Sequence, residues 1–162
     1  MRRGPGGAGD DGRAPMGLTA LFLAAFLAAT PVPMQSEVVF LALQAAGWPL
    51  VWLVCVASAG NVLGSCVTYG FGRWARGLSQ TGAGRRWLGL TPEGLARAQD
   101  WFSRWGIWAL LLCWAPGGDL IVALAGVMRV RPAVFLALVT LAKTGRYVAL
   151  GLAAAGLFGW QG

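Results

Sequence analysis

The sequence predicts an all-α integral membrane protein built as two inverted repeats, each a re-entrant helical hairpin followed by a transmembrane helix. Three observations carry that prediction. Of 162 residues, 57% are hydrophobic and only 12% charged, and the mean hydropathy is +0.62, too apolar for a soluble domain of ordinary composition. Residues 38–72 carry no charge over 35 positions and residues 17–36 none over 20, each enough for the ~20 residues that span a hydrocarbon core. A proline-bearing interruption followed by a long apolar run then occurs twice, at the same spacing.

The first 15 residues, MRRGPGGAGDDGRAP, are Gly, Pro and charge without periodicity and read as a disordered tail, with Met16 an alternative start. The apolar run after an Arg-bearing segment has the look of a signal peptide. Against cleavage, the apolar pattern resumes directly after PVPMQSE. Residues 16–162 are therefore taken as a single membrane domain.

The first block, 17–46, is interrupted by Thr30-Pro-Val-Pro-Met-Gln-Ser-Glu37. Proline removes a backbone donor and clashes with the preceding turn. Each block so broken becomes two half-helices too short to cross, as in a re-entrant hairpin whose tip must be buried in protein or face a wet cavity. Pro31, Pro33 and Ser36 mark this tip. Residues 49–72 are long enough to span, and within them Gly60, Gly64 and Thr68 form a small-residue stripe suited to close helix packing, with Asn61 beside it as either an interhelical hydrogen bond or a group lining a substrate cavity.

Residues 73–104 carry six Arg against Glu93 and Asp100, which places this loop in the cytoplasm. Inside it Thr91-Pro92-Glu93 opens an amphipathic helix with Leu95, Ala98, Phe102 and Trp105 on one face and Glu93–Arg97 and Asp100–Arg104 as i,i+4 pairs. Two readings stand: an interfacial helix anchored by Trp101 and Trp105, or a connector packed on its own bundle. The second broken block, 105–128, has its tip at Pro116, Gly117 and Gly118, and residues 132–160 form the second span. Pro33 precedes Pro49 by 16 residues and Pro116 precedes Pro132 by 16, and an acid follows each tip, so a hairpin and a span recur. One intervening span inverts the second copy, an arrangement that places transporter sites at the midplane.

Histidine is absent, which excludes His-dependent nucleophilic catalysis and His-ligated metal sites. Cys55, Cys66 and Cys113 have no metal spacing and read as small buried hydrophobes. No nucleophile–base pair is identifiable, so the chain is not expected to be an enzyme, and neither metal nor cofactor is expected. The net charge of +7 reads as the cytoplasmic bias of a membrane protein rather than as nucleic-acid binding. Membrane lipids are the expected partners, and a homo-oligomer is compatible with the pattern.

Of 19 charges, 15 fall in the tail, in 73–104 or at Arg129 and Arg131; Glu37, Asp119, Lys143 and Arg146 remain in apolar surroundings. A lone charge at a helix centre costs about 2.5–3.5 kcal/mol on insertion scales, so these four are expected to pair or to face water. Ser36-Glu37 and Gly118-Asp119 also stand where N-caps stand, so plain capping and a functional, proton-carrying acid are both open. Lys143 and Arg146 share a face, with Tyr147 one turn after Lys143; they contact either an anionic substrate or the acids.

Taken in order, FLAATPVPMQSEVVFLAL, GNVLGSCVTYGFGRW, WFSRWGIWALLLCWAPGGDLIVALAGVMRVRP and LAKTGRY resemble the DedA membrane-protein family, in its small YqaA-type branch, which is related to the VTT (SNARE-associated) domain of lipid scramblases. The broad DedA pattern has R-F-x-P-x-x-R at the second hairpin. Here Cys113-Trp114-Ala115-Pro116 is followed by Gly118-Asp119, a departure that fits the YqaA branch. The resemblance implies a multi-pass protein of the bacterial inner membrane that moves an anionic, phosphate-bearing lipid or small anion, with proton coupling. The alternative is a nonenzymatic assembly or partner-binding protein whose intramembrane charges are purely structural.

Overall fold

A computed structural model describes residues 13–30, 35–79, 92–115 and 118–157. These form helices α1 (Arg13–Ala28), α2 (Ser36–Ala45), α3 (Leu50–Ser79), α4 (Pro92–Trp105), a 3-10 segment (Gly106–Leu112), α5 (Gly118–Val127) and α6 (Pro132–Leu157). Two are long and apolar enough to cross a membrane, over Leu50–Gly77 and Pro132–Gly156. The tip residues Pro31, Pro33, Pro116 and Gly117, the tail before Arg13, residues 80–91 and residues 158–160 lie outside the described residues, as do the Leu95 and Ala98 side chains.

The direction of each helix follows from its contacts. Gly17 at the start of α1 lies against Leu43 and Trp48 at the end of α2, so the two run antiparallel and the chain leaves α2 at the end of the bundle where α1 began. The carbonyls of Phe22 and Phe26 meet Gly60 and Gly64, so α1 and α3 are parallel. Tyr69 stacks on Phe135 while Leu50 touches Gly151, so α3 and α6 are antiparallel.

Both short helices end in the same way. After α2, Gly47 N–H bonds Gln44 O and Trp48 N–H bonds Leu43 O; after α5, Arg129 N–H bonds Gly126 O and Val130 N–H bonds Ala125 O. This is the Schellman closure, which needs a left-handed residue at its turning point. Gly47 supplies it at φ 90° and Arg129 at φ 55°. A proline follows each closure, at Pro49 and Pro132, and suits the first turn of the next helix, where its missing N–H costs nothing.

Two apolar cores result. One gathers Leu21, Ala25, Phe40, Leu53, Ala57 and Tyr147 from α1, α2, α3 and α6. The other gathers Tyr69, Phe102, Leu110, Cys113, Val122, Phe135 and Val139 from α3, α4, the 3-10 segment, α5 and α6. Helices α3 and α6 thread both. Glycine permits the closest approaches: a Cβ at Gly64 would meet Phe26 O at 2.2 Å, and one at Gly72 would meet Ala123 O at 2.1 Å. The stripe on α3 is therefore a contact surface, extended by Thr68, whose hydroxyl donates to Ala29 O at 2.8 Å.

The helices differ from the sequence expectation at four places, and Cys55, read as a buried hydrophobe, is exposed. Helix α1 reaches back to Arg13, three residues into the stretch read as tail; Pro15 falls in the first turn, where no backbone donor is needed. Helix α3 continues past residue 72 to Ser79, because Arg73, Trp74, Ala75 and Arg76 include no strong helix breaker, and Arg73 and Arg76 find acceptors in Tyr69 Oη and Val127 O. The first limb of the second hairpin is 3-10 rather than α-helical; at about 2 Å per residue, seven residues reach about 14 Å. Helix α4 buries Phe102 against the bundle but leaves Trp101 and Trp105 exposed. Its acids and arginines remain exposed without closing the two i,i+4 ion pairs, as expected where solvent makes such pairs nearly worthless.

Candidate functional site

The four isolated charges meet in two pairs. Lys143 Nζ lies 3.1 Å from Asp119 Oδ1, and the Arg146 guanidinium pairs with the Glu37 carboxylate. Each acid sits in the first turn of a short helix, α2 or α5, and both bases project from α6. The Lys143 side chain is only 6% exposed against 27% for Asp119. The enclosed ammonium finds its counter-charge in that carboxylate, and the attraction gains strength from the low dielectric around it.

Immediately after Arg146 on α6 stands Tyr147, fully buried and stacked on Phe40 at 5.4 Å. Its hydroxyl lies 2.8 Å from Ser36 Oγ and accepts from Asn61 Nδ2 at 3.0 Å. With that lone pair engaged, the phenol proton is free to serve Ser36. Three helices, α2, α3 and α6, are thus joined at one hydroxyl. Ser36 is the first residue of α2, but Gln35 occupies the cap position and makes no side-chain cap bond. The expected capping role of Ser36-Glu37 is replaced by tertiary bonds, because both side chains find partners on α6.

Sequence reasoning named Asn61 and Thr68 but missed Ser58, Ser65 and Gln44. Ser58, Asn61, Ser65 and Thr68 are all buried, and their spacing of three and four puts them along one side of α3. Ser65 donates to Asn61 O at 2.9 Å, and Gln44 Nε2 donates to Gly151 O at 2.9 Å. Asn61 Oδ1, Ser58 Oγ and Gln44 Oε1 are buried without a partner among the described residues. The periodicity that marks this polar stripe was legible in the sequence.

Together these groups form a waist between the apolar cores. On α6, Phe135 and Val139 belong to one core and Tyr147 and Leu150 to the other, with Lys143 between them; on α3, Leu53 and Ala57 precede Asn61, and Cys66 and Tyr69 follow it. Charge and hydrogen-bonding capacity are concentrated about halfway along both long helices. Gly118, the remaining described tip residue, is packed directly on the Cys113 backbone and its N–H bonds Ala115 O at 2.8 Å, at the start of α5 next to Asp119. Among the described residues there is no group of three or more His, Cys, Asp or Glu side chains fit to hold a metal ion.

Such an arrangement defines a small helical integral membrane protein with paired charges in its apolar interior. The model of the VTT domain matches residues 31–156. The chain is 36% identical over 149 residues to the inner membrane protein YqaA of Escherichia coli, covering 90% of this chain and 97% of that protein, and equally to YqaA of Shigella flexneri. It is 37% identical over 142 residues to an uncharacterized protein of Haemophilus influenzae, covering 82% and 84% of the two chains. No solved structure matches significantly. The protein belongs to the VTT-domain family, of the DedA/YqaA type, and is a bacterial inner-membrane protein.

Proposed function

We propose that this protein moves an anionic, phosphate-bearing lipid or small anion across the bilayer together with protons, with Glu37 and Asp119 as proton carriers and Lys143 and Arg146 as the anion's counter-charges. In this reading the two hairpins, α1 with α2 and the 3-10 segment with α5, are re-entrant, and the halves are inverted repeats around a midplane site. The observation that carries it is the pairing of each acid with a base on the same side of α6. Protonating a carboxylate cancels its hold on the base, and the freed ammonium or guanidinium then suits a phosphate. Losing the anion restores the pair and expels the proton, so the two movements are coupled by charge balance. Asn61 and Ser58, whose buried oxygens have no partner among the described residues, offer hydrogen bonds to the passing headgroup. No covalent step is involved, and the protein acts without enzymatic chemistry.

The test uses purified protein in liposomes with an imposed pH gradient, scoring flux of a phosphate-headgroup lipid and of small anions. Glu37→Asp keeps an ionisable group and retains part of the flux; Glu37→Gln loses it. Equal, near-normal flux in both at matched protein levels overturns the carrier role. A second reading is favoured by the mutual neutralisation of all four charges: a membrane assembly protein in which the pairs are structural. Exchanging partners, Glu37→Arg with Arg146→Glu, preserves a structural pair and abolishes a carrier whose acid must open the second half of its hairpin.

A further inference from the structure

A second charged feature lies where α3 ends against the α5–α6 turn. Tyr69 Oη donates to Val130 O and accepts from Arg73 at 3.1 Å. Val130 is flanked by Arg129 and Arg131, and Arg76 donates to Val127 O at 2.7 Å. Four arginines are therefore drawn around one turn, three of them exposed. The membrane-embedded acids Glu37 and Asp119 are held by Arg146 and Lys143, and among the described residues no carboxylate pairs with Arg73, Arg129 or Arg131.

The backbone adds an independent observation. Arg129 holds φ 55° at the turning point where the matching closure of α2 has Gly47. Left-handed geometry is unfavourable for a residue with a Cβ and free for glycine, so the fold tolerates strain to keep a guanidinium there. Backbone strain at one residue, set beside the unstrained solution used by the same chain, points to a role for that side chain. The depth is also defined: Phe71 and Trp74, exposed and 5.4 Å apart, flank Arg73 near the end of the apolar span, where aromatic side chains mark the headgroup level.

From these observations we propose that Arg73, Arg129 and Arg131, with Arg76 bracing the turn, form a docking site for the headgroup of an acidic phospholipid of the adjoining leaflet. Guanidinium forks match phosphate oxygens, and clustered arginines at the end of a transmembrane helix attract anionic headgroups. The site is separate from the midplane charges and does not depend on their role in transport.

The full chain in detergent micelles, offered equal amounts of phosphatidylglycerol and phosphatidylcholine, is read by native mass spectrometry for retained lipid. Wild-type protein keeps phosphatidylglycerol preferentially, and added salt weakens the preference. Arg129→Gly and Arg131→Gln each lower it about fivefold, whereas Arg97→Gln and Arg104→Gln, which remove equal charge from α4, leave it unchanged. Arg129→Gly also relieves the backbone and raises the melting temperature by about 2–4 °C, so its loss of lipid is not a loss of fold and it carries the test even if Arg131→Gln misfolds. An unchanged preference in Arg129→Gly, an equal loss in the α4 variants, or displacement of the lipid by inorganic phosphate at the same concentration overturns the proposal.

Discussion

Ser36 and Tyr147, 111 residues apart in sequence, share a hydroxyl–hydroxyl hydrogen bond of 2.8 Å in the buried interior. Since Tyr147 also accepts from Asn61, removing one oxygen atom strands two buried polar groups. Tyr147→Phe should lower stability by about 1–3 kcal/mol, measured by denaturation in micelles. Ser36→Ala strands less, and the double variant should cost less than the sum of the singles. Strict additivity would show that the hydroxyls are not coupled.

Lys143 and Asp119 make a second prediction. Lys143→Met leaves Asp119 without its counter-charge and should cost about 3–5 kcal/mol, while Lys143→Met combined with Asp119→Leu, which removes both charges, should be close to neutral. Thermal melting of the two proteins at matched lipid content checks the order. A double variant less stable than the single would show that the pair itself holds α5 to α6.

At the helix crossings the prediction is steric. A side chain at Gly64 would lie 2.2 Å from the Phe26 carbonyl oxygen and 2.9 Å from the Ala29 Cβ. Backbone cannot yield as a flexible side chain does, so Gly64→Val should destabilise by about 1–3 kcal/mol or more. Gly70→Val, at a position with nothing within 4 Å, is the control and should change melting little.

The helix directions place the start of α1 and the end of α6 at one end of the bundle and the end of α3 at the other. Reporter fusions before Arg13 and after Leu157 should therefore fall on the same side of the membrane, and a reporter within 80–91 on the opposite, cytoplasmic side. Termini on opposite sides would contradict the antiparallel run of α1 and α2.

Different features of this molecule were readable from sequence to different degrees. Glu37, Asp119, Lys143 and Arg146 stood out because a charge in an apolar run is costly enough to demand an explanation. Which acid meets which base was not readable, since Arg146 and Glu37 are 109 residues apart and only the tertiary arrangement joins them. Ser58 and Ser65 were passed over because small hydroxyl residues fit ordinary helix packing as well as a polar stripe. The 3-10 geometry of Gly106–Leu112 left no mark, as GIWALLL is apolar at nearly every position and offers no periodicity to distinguish i+3 from i+4. Nor did the positive φ of Arg129, which arises from the closure of α5 and not from any preference of arginine.

The separation of the two apolar cores by a polar waist has a mechanical meaning. Each core is cemented by close-packed side chains that resist deformation, whereas the join between them rests on two ion pairs, a shared phenol and a polar stripe with hydroxyl and amide oxygens left over. Hydrogen bonds and ion pairs weaken steeply with distance and angle, so a relative shift of α3 and α6 is felt first in the plane that holds the charges.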